Sequence, residues 1–476
     1  MQTFTQEISP DLNFGNSTAS AGDVNNDGFD DIIVGAPGYE NGLGIAYIYF
    51  GGELMDDVVD VTLTIESSSP NTHFGAAVSG AGDVNNDGFD DVIVGAYGYN
   101  FEVGRAYIYY GGEVMDDVPD ITLSSDEFGI FGAAVSTAGD LNNDGFDDVL
   151  VGAKYNTYAT GKTYVYYGGD PMDDVADLTM TGEGSNNYFG TVSSAGDVNN
   201  DGFLDILVGA SGYSTAVPPT HNFVGRAYIY YGGPNMDDIA DVIMEGEDGG
   251  NYFGGSVSGL GDVNGDGFDD IIVGADGYNE LMGRAYIYFG GTEMDSIADV
   301  VMTGDAIPSG FGNSVSGAGD INNDTYDDVI VGAFALDAYL GKAYVYYGSE
   351  TMDDIADETI IGEAAGDGFG GPISYAGDVN NDGYDEYMVG ARGVNEFTGK
   401  VYIYTSINVT VENMLEIGNA FSVYPNPATD FVHINAIEEM EKIQLVNISG
   451  QLVSELTITD NYSKSILPIW NPEFTS

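Results

Sequence analysis

Residues 74–110 read FGAAVSGAGDVNNDGFDDVIVGAYGYNFEVGRAYIYY, and this stretch decides the fold. It opens on Phe74-Gly75, crosses small residues over Ala76–Ala81 and enters an acidic loop over Asp83–Asp91. It then runs through the apolar Val92-Ile93-Val94 to a Tyr-rich segment, Ala106–Tyr110. In that segment Ala106, Ile108 and Tyr110 alternate with Tyr107 and Tyr109, the period-two pattern of a strand rich in β-branched and aromatic residues. Ala77-Val78-Ser79-Gly80, Asp91–Val94 and Asp120-Ile121-Thr122-Leu123 read as three further short strands around it.

The unit recurs. Phe-Gly stands at Phe14, Phe74, Phe131, Phe189, Phe253, Phe311 and Phe369, at spacings of 60, 57, 58, 64, 58 and 58 residues. Seven four-stranded units with no helical pattern between them predict an all-β chain built as a seven-bladed β-propeller. The rival is an open solenoid, which needs distinct capping repeats. The ends decide between them. Repeat seven stops after its third strand, at Tyr402-Ile403-Tyr404, while Thr3-Phe4-Thr5 reads like the fourth-strand Thr62-Leu63-Thr64 of repeat one. Residues 2–8 are therefore expected to supply the outer strand of blade seven, closing the ring and removing its open edges.

Six of the ten basic residues hold one repeat position, just before the third strand: Arg105, Lys162, Arg226, Arg284, Lys342 and Lys400. An acid follows the first five after 21 residues, at Asp126, Glu183, Glu247, Asp305 and Glu363. These predict ion pairs between the third and fourth strands of one blade. Closure would give Lys400 the partner Glu7, and Ile45 in the basic position of blade one would leave Glu66 unpaired.

The chemistry lies in seven copies of Asp-x-Asn-x-Asp-(Gly)-x-x-Asp/Glu. They are Asp23, Asn25, Asp27, Asp31; Asp83, Asn85, Asp87, Asp91; Asp140, Asn142, Asp144, Asp148; and Asp197, Asn199, Asp201, Asp205. Asp262, Asn264, Asp266, Asp270; Asp320, Asn322, Asp324, Asp328; and Asp378, Asn380, Asp382, Glu386 complete the set. Oxygens at alternate positions of a tight loop converge on one point. The seventh position, Phe29, Phe89, Phe146, Phe203, Phe268, Tyr326 or Tyr384, would add its backbone carbonyl. Hard oxygen donors in this number select Ca²⁺, up to seven ions, one per blade. An EF-hand would need a bidentate Glu at position twelve, where every copy here has Val, as at Val34 and Val94. Thr325 replaces the turn glycine in loop six and Glu386 the last Asp in loop seven, which makes loop six the weakest site.

Composition narrows the function. Seventy-seven acids against ten bases give a formal charge of -67, which argues against nucleic acid and anionic membranes and favours cations. The 43% apolar content still provides a core, and zero cysteines exclude disulfides and thiolate chemistry. No apolar run approaches the length of a membrane-spanning helix, and Met1-Gln2-Thr3-Phe4 shows no secretory leader.

Phe14-Gly15, the acidic loop and Gly35-Ala36-Pro37 together resemble the FG-GAP repeat, which builds the seven-bladed propeller of integrin α-subunit heads. Only copy one keeps the full Gly-Ala-Pro; the others keep Gly-Ala. The resemblance covers residues 1–404 and implies calcium in the loops between strands one and two, with ligand recognition on the opposite face.

Residues 405–420 read as a linker. Phe421–Asp430, Val432-His433-Ile434 and Ile443–Gln451 then form a small β-sandwich-like domain over 421–476. It resembles the type IX secretion C-terminal sorting domain of Bacteroidetes, which implies export and a secreted or cell-surface location. The tail from Ser463 to Ser476 departs from the usual ending of such domains, so the domain reads as incomplete.

The sequence has no His-Glu-x-x-His and no P-loop, and its three histidines are far apart, so no enzyme activity is expected. In a propeller, loops one–two and three–four share one face, and loops two–three and four–one the other. The second face carries variable aromatic loops with Tyr99, Phe101, Tyr155, Tyr158, Tyr213, His221, Phe223 and Tyr278 as candidate ligand-binding residues. The leading expectation is a monomeric, calcium-binding adhesion module for an extracellular protein or glycan. A structural surface spacer without a dedicated ligand, and a polysaccharide-active enzyme, are the alternatives.

Overall fold

A computed structural model describes residues 2–4, 12–53, 55–65, 71–125, 127–215, 222–405 and the strands at 421–424, 431–436, 442–446, 452–457 and 465–468. The chain divides into two compact units, Met1–Thr405 and Ser406–Ser476.

The first unit is a seven-bladed β-propeller: seven four-stranded antiparallel sheets, each in simple sequence order except the last. Blade two shows the plan, with strands Ala77–Gly82, Asp91–Ala96, Arg105–Tyr109 and Ile121–Ser124. The second strand is buried along its whole length, because blades pack on both of its faces. That is why it reads as a continuous apolar run rather than an alternating one. The core lies between blades: Ile93, Ala106, Ile108 and Leu123 of blade two pack with Phe131, Val149 and Val151 of blade three. Each fully buried Val, Ile, Leu or Phe side chain among these stabilises the fold by about 1.5–3 kcal/mol.

Blade seven closes the ring as expected. Gln2–Phe4 pairs antiparallel with its third strand, with Gln2 opposite Ile403, Thr3 opposite Tyr402 and Phe4 opposite Val401.

The Phe-Gly motif fastens each blade to the one before. Phe74 is buried, its ring lies edge-on to Tyr107 and Tyr109, and its N–H donates to Leu43 O of blade one at 3.1 Å. Gly75 follows with φ +78° and donates to Gly95 O at 3.0 Å. Gly44, across the seam, has no room for a side chain because the Phe74 backbone lies against it.

The loops between strands two and three hold one-turn left-handed segments. Asn100, Phe101 and Glu102 take φ of 50°, 59° and 69°, and Thr157, Tyr158 and Ala159 take 48°, 62° and 59°. Blades five and six repeat this at Asn279–Leu281 and Asp337–Tyr339. Left-handed backbone costs an L-residue roughly 1–2 kcal/mol. The geometry is held from outside the loop. The carbonyl of the third residue accepts an N–H from the next blade, as Glu102 O does from Ile130 at 2.8 Å and Ala159 O from Tyr188 at 3.0 Å.

The five repeat-position ion pairs run between blades, and Arg226 makes a second contact within its own blade, to Glu245 at 2.6 Å. Lys162 meets Glu127 at 2.8 Å, Arg226 meets Glu183 at 2.6 Å, and Arg284 meets Glu247 at 2.8 Å. Lys342 meets Asp305 at 3.2 Å and Lys400 meets Glu363 at 2.8 Å. In each case the acid belongs to the preceding blade. The pairings Lys162–Glu183, Arg226–Glu247, Arg284–Asp305 and Lys342–Glu363 are thereby corrected. The cause is register: Arg226 stands opposite Glu245 and Lys162 opposite Thr181, so the acid two residues further on has left the ladder and turned toward the next blade. Glu7, Glu66 and Asp126 lie outside the described residues.

In the second unit Phe421–Tyr424, Phe431–Ala436 and Ser465–Pro468 form a three-stranded antiparallel sheet, and Lys442–Val446 pairs with Leu452–Thr457. Residues 406–420, expected as a linker, lie outside the described residues.

Candidate functional site

Each acidic loop joins strand one to strand two across a bulge at the preceding glycine. In blade one Ser20 pairs with Ile32 and Gly22 with Asp31. Gly22 has φ +72°, and a side chain there would overlap the Asp90 carboxylate of blade two. Within the loop, Asp23 accepts N–H bonds from Asp27 at 2.9 Å and Gly28 at 2.8 Å, and Asp27 accepts one from Phe29 at 3.1 Å. These bonds wrap the backbone around the first residue, so the carboxylates of positions one and five sit on one short turn. The same pattern recurs at Asp83, Asp140, Asp197, Asp262, Asp320 and Asp378.

The ninth residue is the fully buried one. Asp31 accepts from Val24 at 3.0 Å and from Gly51 at 2.7 Å, tying the loop to the turn after strand three. Burial pushes its carboxyl up to about 8, with repulsion from Asp27 and Asp23 adding to the rise and the Gly51 and Val24 N–H bonds opposing it. The same causes lift Asp91, Asp270 and Asp328 to about 8, and Asp148 and Asp205 to about 7. Glu386 is pushed up to about 9, first by burial and then by Asp382. A cation beside these groups would remove the repulsion.

Among the described residues no three carboxylate or imidazole groups come together closely enough to hold an ion by themselves. The amide and carbonyl oxygens of positions three and seven are thus needed to complete a shell. Asn85, Asn142 and Asn322, all at position three, carry buried Oδ1 atoms with no donor. A buried acceptor left without a partner costs about 1–3 kcal/mol. An oxygen-bound cation is the partner these atoms fit, so the residues suit the metal that the sequence suggests. In loops one, four and five the equivalent oxygen accepts from Asp27, Asp201 or Asp266. In loop seven Asn380 donates to Glu386 Oε1 at 2.7 Å, a contact the longer side chain makes possible. Thr325 keeps the loop-six backbone, donating to Asp320 at 2.8 Å, but at φ +79°, a strained conformation for a β-branched residue.

Two further positions emerge that the sequence reading passed over. The eighth residue accepts the N–H of the first residue in the preceding loop: Asp90 from Asp23 at 2.8 Å, Asp147 from Asp83 at 2.9 Å, Asp269 from Asp197 at 2.7 Å. Asp327, Asp385 and Asp30 do the same for Asp262, Asp320 and Asp378, each at 2.9 Å. The fourth residue, a left-handed Asn, donates to the sixth-position carbonyl of the following loop, as Asn26 does to Gly88 at 3.0 Å and Asn86 to Gly145 at 2.9 Å. The Asp-Asp and Asn-Asn doublets of the motif were the visible signal.

On the opposite face the aromatic candidates divide. Tyr99, Tyr213 and Tyr278 are half-buried, their rings stacked under Arg105, Arg226 and Arg284 at 4.0, 3.7 and 3.8 Å. Phe223 stacks on Tyr252 and Tyr155 meets Tyr188 edge-on. Phe101 and Tyr158, in the left-handed turns, are 83% and 88% exposed. His221 lies outside the described residues. Among the described residues no helix is long and apolar enough to cross a membrane.

The FG-GAP repeat family matches residues 14–49, 74–109, 131–166, 189–230 and 253–288, and the Secretion system C-terminal sorting domain matches residues 422–469. The chain is 34% identical over 243 residues to integrin alpha-5 of Xenopus laevis, covering 46% of this chain and 22% of that protein. It is 33% identical over 227 residues to integrin alpha pat-2 of Caenorhabditis elegans, covering 41% and 18%. It is also 30% identical over 220 residues to phosphatidylinositol-glycan-specific phospholipase D of Bos taurus, covering 40% and 25%. The chain thus spans about a fifth of the length of the integrin relatives it matches.

Proposed function

We propose, from the premise that this chain is an FG-GAP repeat propeller followed by a type IX secretion C-terminal sorting domain and so a secreted or cell-surface protein, that it is a calcium-stabilised binding module for an extracellular protein or glycan.

FG-GAP repeats commonly bind calcium. In this chain the first, third, fifth and ninth side chains of each loop and the seventh carbonyl would hold the ion. Bound calcium supplies the positive charge that offsets three carboxylates and cross-links strands one and two. Asp23 and its equivalents already curl the loop, Asp31 and its equivalents anchor it to the turn after the third strand, and Asn85, Asn142 and Asn322 hold unpartnered oxygens ready. At ten times Kd each independent site would add about 1.4 kcal/mol of stability, so excess chelator should lower the melting temperature.

The binding role rests on one observation: Phe101 and Tyr158 stand almost fully exposed on turns whose left-handed backbone is held by the next blade. Exposed aromatic rings held at fixed positions suit recognition. The test is a screen of immobilised glycans and matrix proteins with the full chain, repeated with Phe101→Ala and Tyr158→Ala. Binding lost in the variants supports the recognition face; binding that survives both, or no binding to any partner, favours the spacer. Catalysis forms no part of this reading, and turnover of a polysaccharide by the purified chain would overturn that.

A further inference from the structure

We infer that the acidic loops take up their ions cooperatively and in two blocks, five loops in blades six, seven, one, two and three, and two loops in blades four and five. This rests on the calcium reading above and goes beyond it.

Two hydrogen bonds join loop one to loop two. Asp23 is a ligand of loop one, and its N–H is held by Asp90, which is bonded in sequence to Asp91, a ligand of loop two. Asn26 of loop one, at φ +56°, is held by the carbonyl of Gly88, which lies between the loop-two positions Asp87 and Phe89. An ion that orders loop two therefore fixes both acceptors that hold loop one. A loop already ordered by its neighbour loses less freedom on binding, and the coupling is reciprocal.

The stitching is uneven. Both bonds are present at the seams from blade one to two, two to three, four to five, six to seven and seven to one. From blade three to four the carboxylate is missing: Leu204 stands at the eighth position, and its side chain lies against Gly139. Only Asn143 to Gly202, at 2.8 Å, remains. From blade five to six the amide is missing, because Gly265 stands at the fourth position, leaving Asp262 to Asp327 at 2.9 Å. The half-stitched seams divide the ring into blocks of five and two.

The test uses the full chain and native mass spectrometry, which resolves how many calcium ions each molecule carries during a titration. Species with two, five and seven ions should exceed a binomial distribution. Asp90→Leu and Asn26→Gly copy residues that blades four and five already carry, so the loop accommodates them. They should break the block of five and raise the calcium midpoint for its loops roughly fivefold or more. Leu204→Asp with Gly265→Asn supplies the missing partners and should merge the blocks into one transition. Hydrogen exchange at Asp140 should slow in Leu204→Asp. A binomial distribution unmoved by these substitutions would overturn the coupling and leave calcium binding standing. A Leu204→Asp effect on affinity alone, with the distribution unchanged, would reduce it to added charge and also overturn the coupling. No calcium uptake at all would overturn both readings.

Discussion

Asn381 of the seventh blade donates its side-chain amide to the carbonyl of Gly28 in the first, 3.1 Å away across 353 positions of sequence. The same contact links Asn26 to Gly88 and Asn86 to Gly145, so the acidic loops meet across the closing seam as they do elsewhere. Asn381→Gly keeps the left-handed backbone and deletes the amide. It should lower stability by about 0.5–1.5 kcal/mol, the net worth of a neutral hydrogen bond, in a denaturant melt at fixed calcium. An unchanged midpoint would mean that the seam gains nothing from this bond.

Arg226 reaches back to Glu183 at 2.6 Å and also holds Glu245 at 2.6 Å. Both acids are partly exposed, so solvent screens the pairs. A double-mutant cycle between Arg226→Ala and Glu183→Ala should give a coupling of about 0.2–1 kcal/mol. The cycle with Glu247→Ala, the within-blade partner that spacing suggests, should give none. The reverse ranking would contradict the inter-blade pairing.

The Lys400 ammonium holds the Glu363 carboxyl below the usual carboxylate range, chiefly by its hydrogen bond. Because the folded value is depressed, the stability this pair contributes is present above the unfolded value and is lost as pH falls through the folded one. Lys162 lowers Glu127 in the same way. In a carboxyl-carbon NMR titration, Lys400→Met should return Glu363 toward its ordinary value and leave Glu127 unmoved. Movement of both would mean a global change rather than a local pair.

Two phenylalanines 30 residues apart should behave oppositely. Phe131 is buried between blades two and three, and Phe131→Ala should cost about 3–5 kcal/mol. Phe101 is exposed at 83%, and Phe101→Ala should change stability by no more than about 0.5 kcal/mol while weakening ligand capture. A large stability loss at Phe101 would assign it to packing.

Much of this was legible because it depends on local period and on repetition. Strand alternation at Ala106–Tyr110, the loop spacing from Asp83 to Asp91 and the outer strand at Thr3 all follow from one copy compared with the next. What was not legible depends on the neighbouring blade. The spacing of Arg226 and Glu247 suggests a hairpin pair, but the ladder ends at Glu245 and the chain turns away before Glu247. Asp90 and Asn26 look like extra acidity and extra polarity in the motif until the preceding or following loop is beside them. Tyr99 and Phe101 look alike as loop aromatics, yet Arg105 covers one and the left-handed turn lifts the other into solvent.

The most direct test of the account is long-wavelength anomalous diffraction from crystals grown with calcium. The account predicts up to seven peaks on one face of the propeller, one per blade. Each should lie about 2.3–2.6 Å from the oxygens of the first, third, fifth and ninth loop residues and the seventh carbonyl. Loops that show no peak at saturating calcium, with Asn85, Asn142 and Asn322 turned to other partners, would contradict it.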